Sequence, residues 1–253
     1  MLTLIEAVAL GVIQGVTEWL PISSSGHLVI AQQLFNVQVP VFYDILLHVA
    51  TLVVILLVFY KDIFLILKEF FNLNFKSEYG KLGLFIILGS IPTGLIGIFF
   101  RDTFMQAFSS LNAVAFGLIF TGTLLTFSEL LPSKKKIKWY HSVIIGIMQG
   151  VAIFPGISRS GSTISTGLIL GIEKTKVAKF SFLLSVPAII GATILEFNTS
   201  FIQAELLPII TGMVVSIIVG YFSLKLLLKM ITKQKFHLFA FYCLTLGLIL
   251  LLI

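Results

Sequence analysis

Six apolar stretches of about 17–20 residues, near 44–60, 82–100, 111–130, 180–197, 206–222 and 237–253, restrict this 253-residue chain to one solvent. A helix of that length crosses a hydrocarbon core of ~30 Å, and in lipid the backbone must satisfy its own hydrogen bonds. Only 11% of the residues are charged and 58% are hydrophobic, against roughly a quarter charged in soluble domains. The expected fold class is an all-α polytopic membrane protein. The start, MLTLIEAVALG, has no basic segment before its apolar run and carries Glu6, so a cleaved signal peptide is not expected. The lone Cys243 excludes an intramolecular disulfide or a cysteine-based metal site and reads as core filler.

Two segments outside the six stretches are copies of each other. Residues 11–26 read GVIQGVTEWLPISSSG and residues 146–161 read GIMQGVAIFPGISRSG, in register without a gap. Each copy is a helix-like run (3–20 and 140–154), a break of Pro, Gly and Ser, and a second run (24–35 and 160–171). At 1.5 Å per residue the second runs, of about 12 residues, reach less than two thirds of the way across. The economical reading is a re-entrant hairpin, which lipid tolerates where the irregular backbone is buried in protein or lines a polar cavity. A tight pair of full spans is the alternative. Either way the chain returns to the side it entered.

Following the chain on that basis collects the lysines on one face: Lys61, Lys68, Lys76 and Lys81, then Lys134, Lys135, Lys136 and Lys138, then Lys174, Lys176 and Lys179, then Lys225, Lys229, Lys233 and Lys235. The opposite face receives Arg101 alone. Positive loops stay in the cytoplasm, so both termini are expected outside. The run Ser133–Lys138 is then an orientation signal, no nucleic-acid partner is expected, and the net charge of +6 is a membrane effect with contact to anionic headgroups. Each half, 1–132 and 138–253, has an odd number of crossings, which makes the pair an inverted-topology repeat within one membrane domain, each half a re-entrant hairpin plus three transmembrane helices. A weaker echo agrees: Ala115-Phe116 with Gly122 answers Ala240-Phe241 with Gly247. Opposed hairpins of this kind meet near the midplane, where such architectures place their sites.

Gln14 and Glu18 share one helix face beside Gly11 and Gly15. An ionisable Glu18 within a membrane segment is costly unless paired or wet, so it is a candidate functional group, with a structural hydrogen bond to the serine loop as the plainer reading. Ser23-Ser24-Ser25-Gly26-His27 opens the second arm, and serines there act as N-caps that leave backbone N–H groups facing the break. The second copy opens with Ser158-Arg159-Ser160-Gly161-Ser162-Thr163 and adds a guanidinium suited to bidentate phosphate contact. Two helix N-termini and an arginine suit a ligand with two adjacent phosphates; a salt bridge from Arg159 to Glu18 is the competing reading. His27 reads either as a general acid or base beside Glu18 and Ser24, or as a donor to a backbone carbonyl. Asp44, His48 and Lys179 stand at starts of spans and are expected at the interface or cavity entrance, and His141 and His237 at loop edges. No HExxH, Walker or GxGxxG motif occurs.

The motifs QGVTEWLPISSSGH at 14–27, PGISRSGSTI at 155–164 and KFSFLLSVPAIIGA at 179–192 resemble the bacterial undecaprenyl-diphosphate phosphatases of the bacitracin-resistance type, over essentially the whole chain. The resemblance implies a multi-pass plasma-membrane enzyme that removes the terminal phosphate of a C55 polyprenyl diphosphate, giving the lipid carrier of cell-wall synthesis, with its site on the outer face. By position it implies Glu18 as the essential acid, Ser24 as nucleophile, His27 as the family histidine and Arg159 as the phosphate clamp. Gln14, Ser23, Ser25, Ser158, Ser160, Gly161 and Thr163 are expected around the substrate. Many family members carry glutamate where this chain has Gln14, so the expected divalent cation, Mg²⁺ or Ca²⁺ on Glu18 with Gln14 as a further ligand, has an incomplete carboxylate pair. The expected partners are the lipid substrate and the bilayer, with a homodimer left open. A transporter of lipid phosphate or another anion is the alternative function that the same architecture allows.

Overall fold

A computed structural model describes residues 2–128, 134–232 and 236–252. Among them the chain forms helices α1 (Leu4–Thr17), α2 (Ser24–Leu34), α3 (Val41–Val58), α4 (Tyr60–Phe71), α5 (Glu78–Phe99), α6 (Arg101–Ala107), α7 (Leu111–Ser128), α8 (Trp139–Val151), α9 (Arg159–Ile169), α10 (Lys174–Leu195), α11 (Thr199–Ala204), α12 (Leu206–Thr232) and α13 (Phe236–Leu251). The six expected spans correspond to α3, α5, α7, α10, α12 and α13; five of them are long and apolar enough to cross a membrane, and α13 is a shorter apolar helix. The protein is thus an all-helical, multi-pass membrane protein. The expected boundary between halves after residue 132, together with Ser133, Lys233 and Lys235, falls outside the described residues.

Several segments read as loops are helical. α4 carries Lys61 and Lys68 with no buried residue, a surface helix between two spans. α12 runs ten residues past the expected end at 222, so Lys225 and Lys229 ride on its last turns, the Lys225 ammonium 4.3 Å from the Tyr221 ring centroid. Long lysine stems can follow apolar surface to water, which lets the helix continue where the hydropathy falls. His141 also departs from expectation: it is buried in the first turn of α8, its Nδ1 accepting from the Lys138 N–H at 3.1 Å.

Both copies of the repeat form a helix, a break and a short helix, and the chain before and after each copy comes together. Lys134 and Lys135, before α8, donate their N–H groups to the Gly171 carbonyl at 2.9 and 2.8 Å, just after α9. In the first copy, the Leu2 N–H donates to Glu205 at 3.3 Å, while Tyr43, after α2, packs edge-on against Phe201 of the same segment. At 1.5 Å per residue the 11-residue arms α2 and α9 are about 16 Å long, half a bilayer core.

The halves interlock. α1 packs along α12 and α8 along α5, so each hairpin's first arm lies on a long helix of the other half, and α7 pairs with α13. Small residues permit these approaches, since lipid-embedded helices associate through close packing rather than a hydrophobic drive. A Cβ on Gly11 would stand 2.5 Å from the Gly212 carbonyl oxygen, and one on Gly146 only 2.0 Å from that of Gly89. Gly122 and Gly247, the paired echo, press reciprocally on the backbones of Ala240 and Ala115. Gly146→Ala therefore forces α8 off α5 and is expected to cost about 1–3 kcal/mol, read as a lower melting temperature in detergent. Gly191→Ala, where a Cβ meets nothing within 4 Å, is the matched control.

Candidate active site

Each hairpin tip has one residue of positive φ and a serine cap, which in the first tip are the same residue. Glu18 continues the last turn of α1, its N–H on the Gln14 carbonyl at 2.9 Å. After Leu20-Pro21, Ser23 takes φ +70°, a left-handed conformation that costs a residue with a Cβ roughly 1–3 kcal/mol. The Ser23 hydroxyl accepts from the Gly26 N–H at 3.2 Å, and α2 starts at Ser24. In the second tip Gly156 makes the turn at φ +87°, and the Ser158 hydroxyl accepts from the Gly161 N–H at 3.0 Å to start α9 at Arg159. The tips touch: a Cβ on Gly26 would be 3.0 Å from the Gly156 Cα, and the Ser160 hydroxyl donates to the Leu20 carbonyl at 3.4 Å.

Ser24 and Arg159 occupy the same place in the repeat, the first residue of the short arm, and both turn toward the Glu18 carboxylate. Arg159 Nη2 donates to Oε1. Oε2 receives the Ser24 hydroxyl at 2.7 Å and Gln14 Nε2 at 3.0 Å, with His48 Nε2 at 3.2 Å. The carboxylate is buried, yet fully ligated, as a charge in low dielectric requires. Arg159 has a second arm, Nη1, which is buried without a partner among the described residues. An orphaned charged donor is expensive, and a phosphate oxygen would satisfy it.

Of the two readings of His27, the geometry matches the bond to a backbone carbonyl and not a place beside Glu18 and Ser24. His27 Nδ1 bonds the Ser23 carbonyl at 2.7 Å and Nε2 bonds the Tyr242 hydroxyl at 2.7 Å, which pins the first tip to α13. The imidazole facing Glu18 is that of His48, a residue the sequence placed only near the cavity entrance. Its Nδ1 donates to the Asp44 carbonyl one turn earlier at 2.7 Å, which aims Nε2 at Glu18 and at the Ser24 hydroxyl, 3.5 Å away. Asp44 itself is buried and holds Gln32 of α2 at 2.7 Å. Lys179 pairs with Asp62 at 2.8 Å, joining α10 to α4 at the lysine-bearing end, away from this cluster.

A cavity of about 540 Å³ leads from this cluster. Glu18, Ser24, Ser25, His48, Ser158 and Arg159 form its polar end. Apolar side chains such as Ile45, Ile98, Ile153 and Ile189 make most of its wall, and Arg101 and Glu196 stand on it where α5 and α10 end. Along α5 the wall runs from Ser90 to Ile98, eight residues or about 12 Å, and continues to Arg101 at the start of α6. The remaining expected site residues are behind the wall. Gln14 supports Glu18, Ser23 and Gly161 serve the caps, Ser160 joins the tips, and Thr163 bonds the Arg159 carbonyl at 2.8 Å and the Ser181 hydroxyl at 2.5 Å. Their support is indirect.

For a divalent cation the donors are few. Among the described residues no three of His, Cys, Asp and Glu cluster as a metal site. Gln14 Oε1, however, is buried without a partner among the described residues, on the amide whose Nε2 faces the Glu18 carboxylate. With that amide turned over, Oε1 and the carboxylate would offer two hard oxygens to a cation that completes its shell with phosphate oxygens, the common arrangement for Mg²⁺.

Comparison with known proteins decides the family. Residues 7–249 match the model described as bacitracin resistance protein BacA. The chain belongs to that family. An undecaprenyl-diphosphatase of Alkaliphilus metalliredigens is 41% identical over 271 residues, covering 99% of this chain and 98% of its own. Relatives of the same name in Halothermothrix orenii, 41% identical over 257 residues, and Methanosphaera stadtmanae, 40% over 268 residues, each cover 98% of this chain and 97% of their own. In this BacA-family protein Glu18, Ser24 and Arg159 belong to one cluster although they lie up to 141 positions apart in the chain. His48 is the site residue that sequence reasoning missed. Its one signal was the Asp44–His48 spacing of a single helical turn, which lets an imidazole be held by its own backbone.

Proposed function

We propose that the protein hydrolyses undecaprenyl diphosphate to undecaprenyl phosphate and inorganic phosphate. The observation that carries this reading is the meeting of Ser24 and Arg159 on opposite oxygens of one buried carboxylate, at the polar end of an apolar cavity. The terminal phosphate enters against Arg159, whose free arm takes one phosphate oxygen while the other exchanges Glu18 for a second. Glu18, released on that side, accepts the Ser24 proton as the Ser24 oxygen bonds to the terminal phosphorus. The bond from phosphorus to the bridging oxygen breaks, and undecaprenyl phosphate leaves. His48 is positioned to pass the proton on, and water then cleaves the phosphoserine to free inorganic phosphate; direct attack by water is the rival route. Most of the rate comes from holding the phosphoryl charge in place. A Mg²⁺ or Ca²⁺ held by Glu18 and Gln14 Oε1 would neutralise further charge on the diphosphate.

The lysine distribution supports a cytoplasmic placement of the lysine-bearing loops and an inverted relation of the two halves, in line with the exchanged packing of α1 on α12 and α8 on α5. The cavity wall ends at Arg101, on the lysine-poor side, which favours a site served from the outer face. Purified protein in detergent, given a C55 prenyl diphosphate, is expected to release phosphate, and less of it with a chelator. Lipid transfer in sealed vesicles with no phosphate released would replace the enzyme by a carrier. His48→Ala is expected to slow release by about 10²–10⁴-fold, the usual range for a proton-transfer group, whereas His27→Ala acts through the tip and is expected to lower stability first.

A further inference from the structure

The cavity holds two guanidinium groups, and both rest on carboxylates. Arg159 at the polar end lies on Glu18. Arg101 makes a bidentate pair with Glu196, Nε to Oε1 at 2.5 Å and Nη2 to Oε2 at 2.9 Å. That second pair joins the start of α6 to the end of α10, and so links the two halves of the chain on the cavity wall. Its setting differs from that of the first. The side chains of Arg101 and Glu196 are 48% and 18% exposed, against 17% and 3% for Arg159 and Glu18. Asp102, almost fully exposed, adds a second carboxylate 3.8 Å from Arg101 Nη1.

Among the described residues Arg101 and Arg159 are the only Lys or Arg residues on the cavity wall. Arg101 is half exposed, so water and an incoming dianion reach it directly and can replace Glu196 at lower cost than a fully buried partner. The fork of donors that fits Glu196 side-on also fits two oxygens of a phosphate.

We propose that Arg101 is a second phosphate-binding site, with Glu196 as its resident competitor. Inorganic phosphate freed at Arg159 meets Arg101 on its way to solvent, and the headgroup of an arriving lipid diphosphate meets it first. Glu196 takes the guanidinium back after each passage, which keeps product from lingering. This rests on the phosphatase reading of the site.

Product inhibition tests it. The full chain in detergent, Glu196→Gln, Arg101→Gln and the double variant are assayed for hydrolysis under increasing inorganic phosphate. With the competitor neutralised, Glu196→Gln is expected to lower the phosphate inhibition constant several-fold. Arg101→Gln is expected to raise it several-fold, and the double variant to follow Arg101→Gln. A pair that only ties the halves together would lower the melting temperature alike in both single variants and leave the inhibition constant unchanged, which would overturn the proposal. Failure of the wild-type protein to release any phosphate would defeat the phosphatase reading instead. The shift of melting temperature by inorganic phosphate, compared across the four proteins, then reads the Arg101 site on its own: the same ranking sustains it, and an identical shift in all four rejects it.

Discussion

Arg159→Ala is expected to lower phosphate release by about 10³-fold or more, the effect found when a single arginine stabilising a transferring phosphoryl group is removed. The free Nη1 donor and the Nη2 donor now on Glu18 are the two contacts that the phosphate would gain, and alanine removes both. Loss of activity must be separated from loss of fold, because deleting one partner of a buried pair is itself destabilising. Glu18 keeps Gln14, Ser24 and His48 in the variant, so a folded protein with a lowered melting temperature is expected. Arg159→Lys separates charge from geometry, since one ammonium cannot serve two phosphate oxygens side-on. It should recover part of the lost rate, and recovery to the wild-type rate would defeat the bidentate clamp.

Ser24→Ala is expected to reduce turnover by about 10³-fold or more and to abolish a phosphoserine intermediate. The serine is the first residue of α2 and is aimed by a hydrogen bond to the very carboxylate proposed to accept its proton. Brief mixing with terminally ³²P-labelled substrate followed by acid quench should leave label on the wild-type protein and none on the variant. A Ser24→Ala protein with near-normal hydrolysis would assign the attack to water and leave Arg159 and Glu18 in their places.

These expectations depend on features that were unequally legible in the sequence. The spans and both hairpins were readable because hydropathy, prolines and N-capping serines act over a few residues. Glu18 and Arg159 stood out for the same local reason, as charges in apolar segments that lipid would not carry without a task. Lys225 and Lys229 read as loop residues because the hydropathy signal ends where lysines begin, while the hydrogen-bonded helix does not. His27 and His48 show a different limit. Both bond a carbonyl four residues earlier, so local geometry treats them alike. They differ in what their helices face, Tyr242 for one and Glu18 for the other.

The sequence by itself determined the solvent, the apolar spans and the two capped breaks, since each follows from the transfer of side chains and backbone groups over one or two helical turns. The tertiary structure alone decided that Ser24 and Arg159 share one carboxylate, that His48 supplies the nearby imidazole, and that the cavity runs to Arg101. Those outcomes depend on how far one helix is rotated and slid against another, which is set by glycine contacts such as Gly146 on Gly89 and Gly11 on Gly212, between residues far apart in the chain.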